Sequence, residues 1–205
     1  ALVDLYYRAA DRLADFSLDR MRSNVTLANS DWTAARVRQT LGIEVRTLYP
    51  PVTDPAPAPA WAERASRFLA VGRISPEKDL ERVMRIVAGV RRHAPNVTLT
   101  IVGTPDPFTR GYDARVRRAA AAHGSWIDFR ADLSRTELGQ LMAGSRYGIH
   151  GMREEHFGMA PAEMARAGML TWVPGGGGQA EITGEPTLVY AEDDEAIDRI
   201  AALIA

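Results

Sequence analysis

Residues 155–163 read Glu-His-Phe-Gly-Met-Ala-Pro-Ala-Glu: two carboxylates eight positions apart, with a glycine and a helix-favouring proline between them. The first chemistry such a pair suggests is proton transfer, one carboxyl serving as acid and the other as base. The segment Tyr147-Gly148-Ile149-His150 is short, mostly apolar and bounded by glycine, which predicts a buried strand, and residues 161–167 have helix-forming composition. A strand therefore feeds a loop and then a helix. Proline is preferred at the first helical position, so Pro161 is expected to put Ala162, Glu163 and Met164 in the first turn, where N–H groups lack intrahelical partners and favour an anion. In open α/β sheets ligands settle outside the carboxyl ends of the strands, where Glu155, His156, Phe157 and Gly158 are then expected. The helix dipole alone also explains a glutamate in a first turn, so Glu163 has a purely structural reading that Glu155 lacks.

A second group of chemically capable residues lies in Val71-Gly72-Arg73-Ile74-Ser75-Pro76-Glu77-Lys78-Asp79. Arg73 and Lys78 follow a predicted strand and are expected on the same rim as the Glu155 loop. Of the 25 basic residues, Lys78 is the single lysine. In a chain that otherwise uses arginine, a lone lysine suggests a site that needs a compact ammonium, as at a phosphate; the alternative is a solvated lysine at a helix start. No Gly-x-Gly-x-x-Gly follows a strand and no P-loop is present, which disfavours the usual dinucleotide and phosphoryl cradles. Gly175 to Gly178 precede Gln179-Ala180-Glu181-Ile182. Such a tract is either a flexible loop or a place where backbone approaches a ligand closely. The four histidines, His93, His123, His150 and His156, show no metal-ligand spacing and no Asp-x-Asp motif occurs, so neither a metal nor a bound cofactor is expected. Charge on an anionic leaving group must then be met by protein cations.

These residues need elements to hold them. With 205 residues, 46% hydrophobic and 25% charged, the chain has the composition of a globular protein long enough for one domain and part of another. The net charge of -1 and pI of about 6.5 argue against a nucleic-acid partner. Absence of cysteine excludes a disulfide framework, a thiolate metal site and a cysteine nucleophile, and a reducing cytoplasm is the simplest location. No apolar run approaches the roughly 20 residues that span a bilayer. Asn24-Val25-Thr26 and Asn96-Val97-Thr98 read as chance matches to a glycosylation sequon. The chain opens at Ala1 and is expected to be a piece of a longer protein.

Residues 2–21 place Leu2, Tyr6, Ala9, Leu13 and Phe16 at helical spacing, predicting one amphipathic helix. Its polar face mixes aspartates with arginines, so packing against protein is expected over a membrane surface. Val25–Ala28 and Arg46–Tyr49 read as strands around a helix over Trp32–Leu41, with Ser30 as its N-cap and Gly42 at its end. Five of the twelve prolines fall between Pro50 and Pro59, and residues 51–64 read as an extended linker between domains 1–50 and 65–205. Beyond it, predicted strands (Phe68–Gly72, Val97–Gly103, Trp126–Phe129, Arg146–His150, Met169–Val173 and Thr187–Ala191) alternate with helices near 79–93, 111–123, 134–144, 160–167 and 193–204. This order implies right-handed crossovers and a Rossmann-like α/β domain with a parallel sheet. Residues 1–50 read as the tail of a preceding α/β domain.

Gly72-Arg73 with Lys78, Glu155-x7-Glu163 and Gly177-Gly178-x-x-Glu181-Ile182 stand in the order and approximate spacing of the C-terminal half of the family-4 retaining glycosyltransferases of GT-B fold, which residues 24–205 resemble. Asn29-Ser30 and Tyr49-Pro50-Pro51-Val52 resemble the end of that family's N-terminal domain. The stretch Gly148 to Gly158 is similar to the branch of α-1,2-mannosyltransferases that extend the dolichol-linked oligosaccharide from GDP-mannose.

The resemblance implies a nucleotide-sugar donor, GDP-mannose or a UDP-hexose, and a glycan or lipid-linked acceptor, with a peripheral membrane contact through the N-terminal domain and a location at the inner face of the membrane. Arg73 and Lys78 would hold the donor diphosphate in place of a metal. Glu155 would contact the donor sugar and Glu163 the ribose. His156, Phe157, Gly158 and Met159 would line the phosphates or sugar, and Arg130 and Ala131 the nucleobase. Of these, Glu155, Arg73 and Lys78 carry the catalytic roles. Ala131 stands where many relatives have glycine, and Met169-Leu170 replaces the usual Thr-Pro after Gly168. The N-terminal domain's glycine-rich loop, acceptor pocket and donor-facing histidine have no counterpart, so the chain is expected to hold a donor without completing transfer. The competing readings are a glycoside hydrolase using Glu155 and Glu163 and a non-catalytic nucleotide-sugar-binding module.

Overall fold

The computed structural model describes residues 2–204, without the side chains of Leu2 and Arg110. The chain forms two compact units that divide between Pro50 and Pro51.

In the first unit, helices α1 (Leu2–Leu13) and α2 (Leu18–Ser23) precede strand β1 (Leu27–Ala28), helix α3 (Asp31–Leu41) and strand β2 (Arg46–Thr47). The two strands pair in parallel, with α3 as the crossover. Ser30 caps α3 by accepting the Thr33 N–H at 3.0 Å, and Gly42 closes it with φ 62°. Ala28, Ala34, Ile43 and Val45 form a small core. The single helix expected over residues 2–21 is instead two. Asp15 takes φ 50°, and the Ser17 hydroxyl accepts the Arg20 N–H at 3.2 Å, so the serine starts a new helix instead of continuing the old one. The expected packing of α1 is also not formed within the described residues, since the side chains of Tyr6 and Leu13 are exposed. The expectation for the Leu2 side chain lies outside them.

The second unit is built on β3 (Ala65–Val71), β4 (Thr98–Val102), β5 (Ile127–Arg130), β6 (Ser145–Ile149), β7 (Leu170–Pro174) and β8 (Val189–Tyr190), all parallel, in the order β5-β4-β3-β6-β7-β8. Helices α4 (Leu80–Val90), α5 (Arg110–His123), α6 (Arg135–Ala143), α7 (Met159–Arg166), α8 (Ala180–Thr183) and α9 (Asp193–Ile204) alternate with them. This is the parallel α/β sheet that the alternating pattern implied. Borders moved by a few residues: α4 stops at Val90 where residues 91–93 turn off, β5 runs to Arg130, and β8 is a short pair preceded by a 3₁₀ turn at Pro186–Leu188.

β3 is buried on both faces, and its side chains divide the core. Phe68 and Ala70 pack with α4, α5 and α9, whereas Leu69 packs with Leu141 and Met142 of α6, Met164 of α7 and Ala167 just after it. The strand order carries the functional consequence. The chain starts mid-sheet at β3, steps outward to β4 and β5, and then returns through α6 to β6 on the other side of β3. Connections leaving β3 and β6 diverge, and a crevice opens at the carboxyl ends of these two strands.

Residues 51–60 have no regular secondary structure and run against α6 and α7: Arg135 donates to Thr53 Oγ1 at 3.2 Å, and Arg166 pairs with Asp54.

Candidate functional site

Beyond β3 the backbone makes a 3₁₀ turn at Pro76–Lys78, and Asp79, at φ 43°, caps α4 by accepting the Arg82 N–H at 3.2 Å. The buried Ser75 hydroxyl donates to Glu77 Oε1 at 2.6 Å, which together with Arg73 holds the Glu77 carboxyl below its ordinary range. The turn sends Lys78 into the crevice, where its Nζ lies 2.5 Å from Glu155 Oε2 and 3.5 Å from Met152 Sδ. Both members of this pair are largely covered, each side chain 18% exposed. Arg73 shares the rim but is exposed and sits 3.4 Å from Glu77 and 3.7 Å from Asp106, not on Glu155.

The loop that carries Glu155 is fastened from below. Gln179 is fully buried, and its Nε2 donates toward the carbonyls of Met152 (3.1 Å), Arg153 (3.0 Å) and Pro174 (2.8 Å). The Gly178 N–H bonds Glu155 O at 2.8 Å. At Gly177 a Cβ would lie 2.5 Å from Glu155 O and 2.7 Å from Glu155 N. The glycine tract at the end of β7 therefore gives close approach to the Glu155 loop, and the loop is its immediate neighbour.

Helix α7 starts earlier than expected. Gly158, at φ 98°, is the residue before it, and the helix runs from Met159, with the Ala162 N–H already bonded to Gly158 O at 3.0 Å. Pro161 is thus the third helical residue and Glu163 lies beyond the first turn, contrary to the placement of proline at the first position. Proline is tolerated through the whole first turn because no acceptor awaits its nitrogen there, so its type alone does not fix the start. Glu163 pairs with Arg135 Nη2 at 2.7 Å, which raises the guanidinium's affinity for its proton. Both residues line a groove of about 590 Å³ between α6, α7 and residues 53–57.

The structure thus brings together Lys78 and Glu155. It places Arg73 on the same rim and gives Glu163 a separate partner. His156 and Met159 are exposed, and Phe157 and Gly158 are buried under the loop. Arg130 and Ala131 lie on the surface at the end of β5, the edge strand, where Arg130 pairs with Asp128 at 2.8 Å.

His150, Gln179 and Arg135 were not singled out from the sequence. His150 Nε2 stands 3.4 Å from Glu155 Oε2, without the alignment of a good hydrogen bond. The histidine and Lys78 hold the Glu155 carboxyl down to about 2 against the opposing effect of burial. Burial in turn pushes the His150 imidazole down. Each had a signal: His150 is the polar end of an apolar strand, Gln179 follows the glycine tract, and Arg135 is a cation in a first helical turn, where the dipole disfavours it. Among the described residues no group of three or more His, Asp and Glu is gathered as a metal site, and no helix is long and apolar enough to cross a membrane.

The family described as "Glycosyl transferases group 1" matches residues 56–205. Among curated relatives, a GDP-Man:Man(3)GlcNAc(2)-PP-Dol alpha-1,2-mannosyltransferase of Dictyostelium discoideum is 25% identical over 72% of this chain and 33% of its own length. The enzyme of that name from Neurospora crassa is 25% identical over 91% of the chain and 40% of its own length. The chain spans about a third of the first of these relatives. Among solved structures, Anabaena HepE in complex with UDP and glucose superposes with a TM-score of 0.76 at 18% identity, over 93% of this chain and 59% of that one. WaaG, a glycosyltransferase of lipopolysaccharide biosynthesis, gives 0.67 at 16% identity, over 86% and 52%. These structural likenesses speak for the fold, that of GT-B C-terminal domains, and the family match covers all of the sheet and the crevice at its switch point. On that match the chain belongs to the group 1 glycosyltransferases.

Proposed function

We propose that this chain is the donor-binding part of a retaining, metal-independent glycosyltransferase that moves a hexose, with mannose from GDP-mannose as the first candidate, to a glycan or lipid-linked acceptor. The observation that carries the reading is the Lys78–Glu155 pair at the sheet's switch point, a covered cation and a covered carboxylate 2.5 Å apart where an α/β sheet receives its ligand. A nucleotide sugar needs both: a cation for the diphosphate and a carboxylate for sugar hydroxyls. Lys78, with Arg73 swinging from Glu77 and Asp106, meets the charge that grows on the leaving diphosphate, an interaction stronger in the transition state than in the ground state. Helix α7 begins at Met159, four residues beyond Glu155, and its first-turn N–H groups would add their partial positive charge at the donor phosphates. Glu155 grips the sugar and Glu163 the ribose. The acceptor hydroxyl then attacks on the face the nucleotide leaves, its proton passing to the leaving phosphate, and no protein nucleophile is used.

The names of the mannosyltransferase relatives support the choice of GDP-mannose, and the UDP-bound neighbours make a UDP-hexose the second donor to test. The hydrolase reading fits less well. A general acid needs a carboxyl with a raised proton affinity, whereas Glu155 is held near 2 and Glu163 is tied to an arginine.

Calorimetric titration of the chain with GDP, GDP-mannose, UDP and UDP-glucose tests the proposal. Lys78→Ala is expected to weaken every diphosphate by about 10- to 100-fold, the range for loss of a charged hydrogen bond. Failure of the folded wild type to bind any of the four overturns the donor-site reading.

A further inference from the structure

His150 has no part in that donor-site reading, yet it is buried in the crevice more deeply than Lys78 or Glu155. It follows β6 directly and is 4% exposed. Its N–H donates to Trp172 O at 2.9 Å, and its carbonyl accepts from the Tyr190 hydroxyl at 2.5 Å, so the neighbouring strand and β8 fix its backbone. The imidazole Nε2 is buried, and the group it faces is Glu155 Oε2 at 3.4 Å, a contact too poorly aligned to satisfy the nitrogen yet close enough to act on the carboxylate. That same oxygen is held by Lys78 Nζ at 2.5 Å. Leaving a buried polar nitrogen in that condition is unfavourable, which a histidine kept merely for its volume does not explain.

The arrangement has a consequence once a donor binds, and here the inference rests on the donor-site reading. A diphosphate draws Lys78 away from Glu155, and a largely covered carboxylate that loses its cation is strongly disfavoured. The other side chain already at that oxygen is His150.

We propose that His150 is a positioning residue that keeps the Glu155 carboxylate aimed at the donor sugar when Lys78 turns to the diphosphate, taking up one proton from solvent as it does so. Before binding, the cluster is a lysine ammonium, a carboxylate and a neutral imidazole. Afterwards the ammonium faces phosphate and the carboxylate faces an imidazolium. The charged and titratable groups around the ring are Lys78 and Arg73 from the segment after β3, Glu155 from the histidine's own loop, and Tyr190 from β8, with Arg82 of α4 over the tyrosine ring. In the free chain, burial and Lys78 push the imidazole down while Glu155 draws it up. Departure of Lys78 removes one depressing influence and the diphosphate adds negative charge, so the ring gains its proton.

The first test needs no ligand. NMR titration of the histidine rings in the whole chain, with His150 assigned through His150→Gln or by elimination through substitutions of His93, His123 and His156, is expected to show the His150 midpoint rising by about one unit in Lys78→Ala. An unchanged midpoint overturns the coupling even if no donor ever binds. The second test is calorimetry of GDP-mannose binding near neutral pH in buffers of different ionisation enthalpy. Wild type is expected to take up protons on binding and His150→Gln to take up none, with GDP-mannose weakened by about tenfold and GDP within about twofold of wild type. Equal proton uptake by the two proteins, or equal weakening of GDP and GDP-mannose, overturns the positioning role while leaving the donor site standing.

Discussion

Lys78 Nζ and Glu155 Oε2 lie 2.5 Å apart, closing the crevice between a turn after β3 and a loop after β6 whose residues are 77 positions distant in the chain. The contact adds a side-chain tie to two connections whose backbones already meet at Gly151, where a Cβ would lie 2.6 Å from Lys78 O.

The pair makes stability depend on acid. The Glu155 carboxyl is held at about 2, below its ordinary 4.5, first by His150 and then by Lys78. A depressed carboxyl contributes stability that is fully present above about pH 4.5 and is lost as pH falls toward 2, by no more than about 3 kcal/mol. Urea denaturation between pH 6 and 2 is expected to show this loss in the wild type and a flatter profile in Glu155→Gln. At pH 7 that substitution leaves a covered lysine without its counter-ion and is expected to cost about 1–3 kcal/mol.

Removing the fastener should loosen the loop. Gln179→Ala deprives three carbonyls, those of Met152, Arg153 and Pro174, of their common donor. The expected cost is about 1–3 kcal/mol in chemical denaturation, and amide exchange at Gly178, whose N–H bonds Glu155 O, should accelerate. A Gly178 amide that exchanges as slowly as in the wild type would show that the loop is held by something else.

Gly158 precedes α7 at φ 98° and ψ 68°, where an L side chain is strained, and a Cβ there would come within 3.0 Å of Gln179 Cβ. Gly158→Ala is expected to lower stability by about 1–3 kcal/mol and to shift the Glu155 loop, readable as changed amide chemical shifts from 153 to 160. Gly184→Ala, at φ 61° with open space around its Cβ, isolates the backbone cost alone.

The Arg135–Glu163 pair separates binding from stability. Arg135 is largely exposed, so Arg135→Ala should change folding stability by less than about 1 kcal/mol. Glu163→Gln, if Glu163 grips ribose, should weaken GDP, UDP and their sugars alike by about tenfold, because the ribose is common to all four. A loss confined to GDP-mannose in isothermal titration would assign Glu163 to the sugar instead.

Local sequence determined much of this protein. Alternating apolar strands and amphipathic helices from Phe68 onward fixed a parallel α/β sheet, since each segment's periodicity reports the face it must bury. The single lysine and Glu155 were legible as groups expected on one rim of the sheet, where the structure pairs them, and Ser30 and Gly42 marked a helix by capping that needs nothing beyond a few neighbours. The break at Asp15–Ser17 was missed because a serine that can cap can equally sit within a helix, and periodicity does not choose. Pro161 misled by one rule of preference, because Gly158 could begin the helix sooner. What no local window held was the company each residue keeps: Lys78 with Glu155 and His150, Gln179 beneath the loop, Arg135 on Glu163. The contacts of Lys78, His150 and Gln179 follow from strand order, which brings the ends of β3, β6 and β7 side by side, and the Arg135–Glu163 pair follows from α6 and α7 packing in one cluster; both are set by packing of the whole sheet.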